Sequence, residues 1–299
     1  MALGGGRVLC RSSSRKRSGV RSSRPSSRLA CALCDLALLI ALPRNSWGSE
    51  RTTGSQRPTA GQQRAPRQTP GGGLGAVRIW LLGGFRISVG SRSIGEGEWR
   101  LKKAGSLLKL LALVPAHRLH REQAMDLLWP DLDPKAALNN LHYALHVARR
   151  TLEPSAPAGA ASGYLHLRGE SLALSPEGPV WVDVEAFEQA ATTARHSLEP
   201  AAYRAAIDLY SGELLPQDRY EAWAEQRRAE LRGLYLWLLV DLASVCEGRR
   251  ELGEAIEALG RAVAEDPTHE GAHVGLMRLY ALLGRRREAL GHYERLRAV

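Results

Sequence analysis

The stretch Asp133–Leu152, D-P-K-A-A-L-N-N-L-H-Y-A-L-H-V-A-R-R-T-L, gathers the side chains best suited to chemistry on a ligand. Asp133-Pro134 reads as a helix N-cap with proline at the first helical position, because an aspartate oxygen satisfies orphan amides and proline has none to lose. Leu138, Leu141, Leu145, Ala148 and Leu152 recur at three- and four-residue steps and form one buried stripe. The face away from it carries Asn139, Asn140, Tyr143 and Arg150, with Lys135 and His146 on its flank. Side-chain amides match adenine edges and Arg matches guanine, while Lys, Tyr and His reach backbone phosphates. A DNA recognition helix is therefore one reading, with Asn139, Asn140, Tyr143 and Arg150 as base contacts. A solvated helix face of ordinary kind has much the same composition, so the neighbouring elements decide.

Those neighbours form a pattern. V-R-I-W-L-L-G-G-F-R-I-S-V-G-S-R-S-I from Val77 alternates and is β-branched, with Gly83-Gly84 and Gly90-Ser91 as turn signals, which predicts a short antiparallel sheet. Arg100–Val114 predicts a helix that Pro115 stops, and His120–Trp129 a second one. Pro130-Asp131-Leu132 then leads straight into the third helix. Tyr164–Leu174 reads as two strands about a Gly169 turn, with Val180-Trp181-Val182 as a third strand. Sheet, three helices and a hairpin is the order of a winged helix-turn-helix, with Arg168 near the tip of the wing. Lys102, Lys103, Arg121, Lys135, His146, Arg149 and Arg168 are the expected phosphate contacts, which position a protein on DNA without reading it.

In sum, V-R-I-W-L-L-G-G-F-R-I-S-V-G, W-R-L-K-K-A-G-S-L-L-K-L-L-A-L, L-L-W-P-D, A-L-N-N-L-H-Y-A-L-H-V-A-R-R-T-L and V-W-V-D-V-E-A-F resemble the SARP-type bacterial regulators over Val77–Val299. These join an OmpR-like winged helix to a bacterial transcriptional activator domain. The resemblance implies sequence-specific binding to double-stranded DNA, usually by two subunits on repeated half-sites, and contact with RNA polymerase. It also implies a polymerase-facing loop between the second and third helices, here Trp129, Pro130, Asp131, Leu132 and Asp133. A cytoplasmic homodimeric activator that is no enzyme, with no cofactor and no membrane partner, is the resulting expectation.

Charge is unevenly placed. The chain of 299 residues carries a formal +10, but Met1–Ala76 holds 13 Lys and Arg against 2 Asp and Glu. Val77–Val182 holds 13 against 9, and Asp183–Val299 holds 15 against 20. The high isoelectric point thus belongs mostly to the first segment, and a mildly basic middle followed by an acidic part is the split a DNA-binding and a protein-binding domain would give. The folded part is nearly neutral, which also fits a rival reading, a protein-interaction adapter whose winged helix is degenerate.

Residues 1–76 are rich in Arg, Ser, Gly and Pro and bury too little to offset chain entropy, so disorder is expected there. The apolar run Leu29–Leu42 is 14 residues long, short of the roughly 20 that a spanning helix needs, though it could tether the chain or form part of a signal peptide. No Met stands between Met1 and Met125 and the folded pattern starts abruptly at Val77, which suits a true start at a valine-type initiation codon. Cys10, Cys31 and Cys34 lie in this segment and Cys246 on a helical stripe, so no disulfide framework is expected, and the lone C-x-x-C lacks a second ligand pair for zinc.

The acidic part reads as helices throughout, over Asp183–His196, Pro200–Ser211 and Arg219–Glu247. Ala255, Leu259 and Ala262 are matched 34 residues later by Ala289, Tyr293 and Leu296, and Pro267 closes the first copy, as in tetratricopeptide repeats. The chain ends in the second helix of a pair with no capping helix after it, so a truncated C-terminus is expected. His142 with His146, and His269 with His273, have zinc-compatible spacing, but neither sits in an H-E-x-x-H arrangement and no metal is expected. Trp129, Trp181, Trp223 and Trp237 read as core or interface anchors. The expected fold is mainly α: residues 1–76 a basic tail, 77–182 the winged helix (small sheet, three helices, wing hairpin), and 183–299 an all-α tetratricopeptide-like array.

Overall fold

The computed structural model describes residues 75–298 except 158 and 176, so the tail readings, Cys31-Cys34 and Leu29–Leu42 lie outside the described residues. Three strands open the fold: β1 (Val77–Trp80), β2 (Arg86–Val89) and β3 (Arg92–Gly95). They pair antiparallel, Ile79 opposite Ile87 and Ile87 opposite Ile94, so the alternation of the sequence puts these three isoleucines on one buried face. α1 (Lys102–Leu113) follows and shares the same buried core. It is buried nearly all round from Ala104 to Ala112, as a helix with apolar residues on every side must be.

After α1 come a short strand β4 (Arg118–His120), α2 (Arg121–Leu128) and α3 (Pro134–Leu152). The hairpin β5 (Leu165–Arg168) and β6 (Ser171–Leu174) turns at Gly169, whose φ of 61° suits a residue without a side chain. β6 pairs on its other edge with β4, giving a separate three-stranded sheet ordered β4-β6-β5. β4 is not legible in the sequence, because three residues are too few to show a period.

β7 (Val180–Val182), the strand read after the hairpin, is present and does not join the hairpin's sheet. It runs parallel to β1, Ile79 opposite Val182, and completes the first sheet in the order β3-β2-β1-β7. The chain thereby returns to its first strand before entering α4 (Asp183–Ser197).

The remainder is helical: α5 (Pro200–Leu209), α6 (Ala222–Gly248), α7 (Leu252–Glu265), α8 (Glu270–Leu282) and α9 (Arg286–Ala298). Each packs on the next, and α7 and α9, which carry the two copies of the repeat, begin 34 residues apart. Leu259 of α7 nests against Gly275 of α8, where an added Cβ would come within 2.7 Å of its Cδ1. Among the described residues no helix is long and apolar enough to cross a membrane.

The winged helix and the helical array are joined by hydrogen bonds as well as by apolar contact. Asp183, 3% exposed at the start of α4, accepts the backbone N–H of Leu81 at 2.8 Å, Leu82 at 2.9 Å and Val184 at 2.8 Å. Burial pushes its carboxyl up to about 6, with those same amides pulling the other way. The loop after α5 reaches back: Leu215 N–H donates to Leu81 O, and Gly83 N–H to Glu213 O, both at 2.9 Å. Gly83, at φ 77°, has no room for a side chain, since a Cβ would meet Ser211 O at 3.0 Å. Arg228 holds that loop from below through the carbonyls of Leu214 and Asp218.

Candidate nucleic-acid interface

α3 positions the site. Asp133 Oδ1 accepts the N–H groups of Lys135 and Ala136 at 3.0 and 3.1 Å, which fixes where the helix starts. Ala137, Leu141, Ala144, Leu145, Ala148 and Leu152 are buried against the domain core, and Leu138 is half-buried at its margin. Beyond Pro134 at its start, the exposed positions are Lys135, Asn139, Asn140, His142, Tyr143, His146 and Arg150, with Tyr143 at 61%. Advancing about 100° per residue, Lys135, Asn139, His142, Tyr143, His146 and Arg150 share one band along the helix, and Asn140 stands at its edge. His142 belongs to this band too. Its three-residue step from Asn139 puts it there, a signal that its zinc-like spacing to His146 obscures in the sequence.

From Pro134 to Leu152 this helix contains no Asp or Glu, and its charged residues are Lys135, Arg149 and Arg150. A face meant only for water would ordinarily mix both signs. Here every exposed polar group can donate to a phosphate or a base edge.

The supporting contacts sort the expected residues into two groups. Arg149 Nε donates to Leu165 O at 2.9 Å and is half-buried, so it staples α3 to the first wing strand. Arg150 lies on the exposed band and donates to Ala156 O at 2.8 Å, which draws its guanidinium toward the loop after the helix. Lys103 Nζ lies 3.1 Å from Glu221 Oε1, in the joint with the array. Glu221 also accepts from Trp223 Nε1 at 2.9 Å, so both partners are committed. Lys102, one residue earlier, is exposed, because the helix turns the two side chains to different sides.

The wing is tied to α2 at its turn. Glu170 accepts from Arg121 Nη2 at 3.0 Å and lies 3.1 Å from His120 Nε2, while Arg121 N–H donates to Glu170 O at 2.8 Å. The hydrogen bond from His120, followed by the charge of Arg121, holds the Glu170 carboxyl below the usual range. Arg121 therefore has a partner already, whereas Arg168 is 3.5 Å from Glu177 in an exposed pair that water screens. At the wing's base Ser162 Oγ accepts from Tyr164 and Leu165 N–H and donates to Glu153. The loop between α2 and α3 presents Pro130, Asp131, Leu132 and Asp133 to solvent, with Leu132 43% exposed, while Trp129 is half-buried beneath them.

Of the four tryptophans singled out by sequence, Trp223 is buried and Trp129 and Trp237 are half-buried against the core. Trp181 is 37% exposed, edge-on to Trp80, over which Arg86 sits at 4.0 Å. The histidine spacings lead to other roles. His269 Nδ1 caps α8 by accepting from Ala272 N–H at 3.1 Å, and His273 pairs with His292 instead. Cys246, Glu251 and Glu254 lie together, but Glu254 is held by both nitrogens of the Arg204 fork.

Residues 182–299 match the family described as bacterial transcriptional activator domain. The match begins at the foot of α4, where β7 hands the chain from one unit to the other. That match takes in the helical array from the end of β7 onward and leaves the winged-helix unit outside it. No curated protein matches the chain. Among solved structures the chain is similar to Mycobacterium tuberculosis EmbR, determined in complex with a low affinity phosphopeptide. The two are 19% identical with a TM-score of 0.61, over 74% of this chain and 58% of that one. The likeness is one of fold, and this chain spans somewhat over half of that structure's length.

Proposed function

We propose that this regulator binds double-stranded DNA in a sequence-specific way and activates transcription, with α3 as its recognition helix. The observation that carries the reading is the carboxylate-free outward band of α3, with Asn139, Tyr143 and Arg150 facing solvent and Asn140 beside them. These four would contact base edges in the major groove. Lys102, Lys135, His142, His146 and Arg168 would hold phosphates, with Arg121 contributing if it exchanges Glu170 for the backbone. The loop Trp129–Asp133 with exposed Leu132 would meet RNA polymerase, and two copies would bind repeated half-sites in the cytoplasm.

The test is selection from a random duplex pool by the full chain, beside a variant with Asn139, Asn140 and Tyr143 changed to Ala. All three are exposed, so the variant should fold. Enrichment of a repeated motif by the native chain alone is the expected result. Failure of both proteins to enrich any sequence, at low and moderate salt, would overturn the proposal and favour a protein-interaction adapter.

A further inference from the structure

A groove of about 490 Å³ opens among α7, α8 and α9. Val263 and Ala264 of α7 and Leu276 of α8 give it an apolar wall, and Tyr280, His273, His292 and Arg295 supply its polar groups. Among the described residues no carboxylate lines it, although the array as a whole is acidic.

The two histidines are arranged by necessity. His273 Nε2 lies 3.0 Å from the carbonyl of Pro267, which can only accept, so Nε2 carries the proton. In a neutral ring Nδ1 is then an acceptor. It lies 3.1 Å from His292 Nδ1, which must therefore be the donor. The remaining nitrogen of His292, Nε2, is left as a lone pair with no partner among the described residues. One turn along α9, Arg295 spends its Nε on Gly291 O and has no carboxylate partner among the described residues. Tyr280 stacks on His292 at 5.7 Å, with the Arg285 guanidinium over the Tyr280 ring at 4.7 Å.

We propose that this groove binds a small organic carboxylate, its carboxylate on Arg295 and the proton-accepting nitrogen of His292, and its apolar end on Val263, Ala264 and Leu276. The volume is that of a small-molecule site, with a few convergent polar groups on an apolar lining. Binding should take up a proton. In the free protein the groups facing His292 are His273 and Tyr280 of α8 and Arg295 of α9, while α7 presents only Gly260, Val263 and Ala264. Burial, the Arg295 charge and His273 hold His292 below its usual value, and a bound anion would cancel the second of these. The site makes the activator domain a receptor for a metabolite-sized acid. It stands or falls apart from the DNA reading, because its test measures ligand alone.

The test is calorimetric titration of the full chain with hexanoate and, as a neutral match, hexanol. Saturable one-to-one binding of hexanoate without binding of hexanol is expected, tighter near about pH 6 than near about pH 8 because His292 becomes protonated. Arg295→Gln, at an exposed position, should weaken hexanoate about tenfold or more through loss of a charge-assisted contact. Ala264→Trp should abolish it by filling the groove. Equal binding of hexanoate and hexanol, unchanged binding by Arg295→Gln, or no saturable hexanoate binding up to its solubility limit would each overturn the proposal.

Discussion

The outward face of α3 and the joint between winged helix and array are both rich in polar side chains, and they use them in opposite ways. In the joint nearly every such group is answered. Lys109, 4% exposed, has Nζ 2.7 Å from Glu96 and in contact with Asp218, and it lies 4.6 Å from the centre of the Phe85 ring. Lys103 meets Glu221, Asp183 meets three amides, and Arg228 meets the carbonyls of the α5–α6 loop. On α3 the amides of Asn139 and Asn140 and the Tyr143 hydroxyl take no side-chain partner among the described residues, and no carboxylate balances Lys135. A protein that leaves such groups unanswered on one rigid face gains nothing in stability from them, so their value lies in what they can bind.

The contrast can be broken most sharply at Asp183. Asp183→Ala leaves the Leu81 and Leu82 amides buried without acceptors, and a loss of about 3 kcal/mol in a urea or thermal melt is expected. Lys109→Ala should follow at about 2 to 3 kcal/mol, because it strands Glu96 and Asp218 facing one another, while Lys109→Met should recover part of that by keeping the packing. A joint variant that melts like the native chain would show that the two units are merely adjacent. The α3 face should behave in reverse. Asn139→Ala and Tyr143→Ala are expected to shift stability by less than about 0.5 kcal/mol. Each should weaken binding to the selected duplex by about 1 to 3 kcal/mol, read by fluorescence anisotropy. A stability loss without a binding loss at either position would make the face structural.

How far the sequence revealed this division follows from the range of the forces. α3 was legible from start to finish, because Asp133-Pro134 and the leucine stripe act within a few residues. The first sheet and the β5–β6 hairpin were legible for the same reason. β7 was legible as a strand but its partner was not, since a parallel partner about 100 residues away leaves no local signature. Lys103 and Arg149 read as phosphate contacts because a basic residue near a helix end looks the same in sequence whether its partner is a phosphate, Glu221 or the Leu165 carbonyl. Asp183 showed only as a residue at a helix start. Its hold on Leu81 and Leu82 depends on β7 lying beside β1, so it could not be seen before that pairing was. The His273–His292 pair was hidden likewise, with His269 four residues away offering a more familiar spacing.

Acid should act at a third place, the end of the array, and on a smaller scale. His292 is held below its usual value chiefly by burial, then by Arg295 and His273, so the fold favours its neutral form more than the unfolded chain does. Its contribution is fully present above the unfolded value of about 6.5 and is lost as pH falls through the folded one. Melts in the absence of any carboxylate should therefore show α9 loosening on acidification, and His292→Gln should flatten that dependence. A slope unchanged by His292→Gln would assign the acid sensitivity to other groups.

The smallest effect should lie at the wing. Arg168 is exposed, and its distant pair with Glu177 gives the fold little, so Arg168→Ala should leave the melt unchanged. If Arg168 holds a phosphate, its loss removes one released counterion, and the slope of log affinity against log salt should fall by about 0.9. The weakening should be equal for every duplex sequence, in contrast to Asn139→Ala, which should relax preference at particular positions. Measured together on matched and mismatched duplexes, the two variants distinguish a wing that positions from a helix that reads. A sequence-dependent loss at Arg168 would move part of the readout off α3 and onto the hairpin, where the tie from Glu170 to His120 and Arg121 would then set its aim.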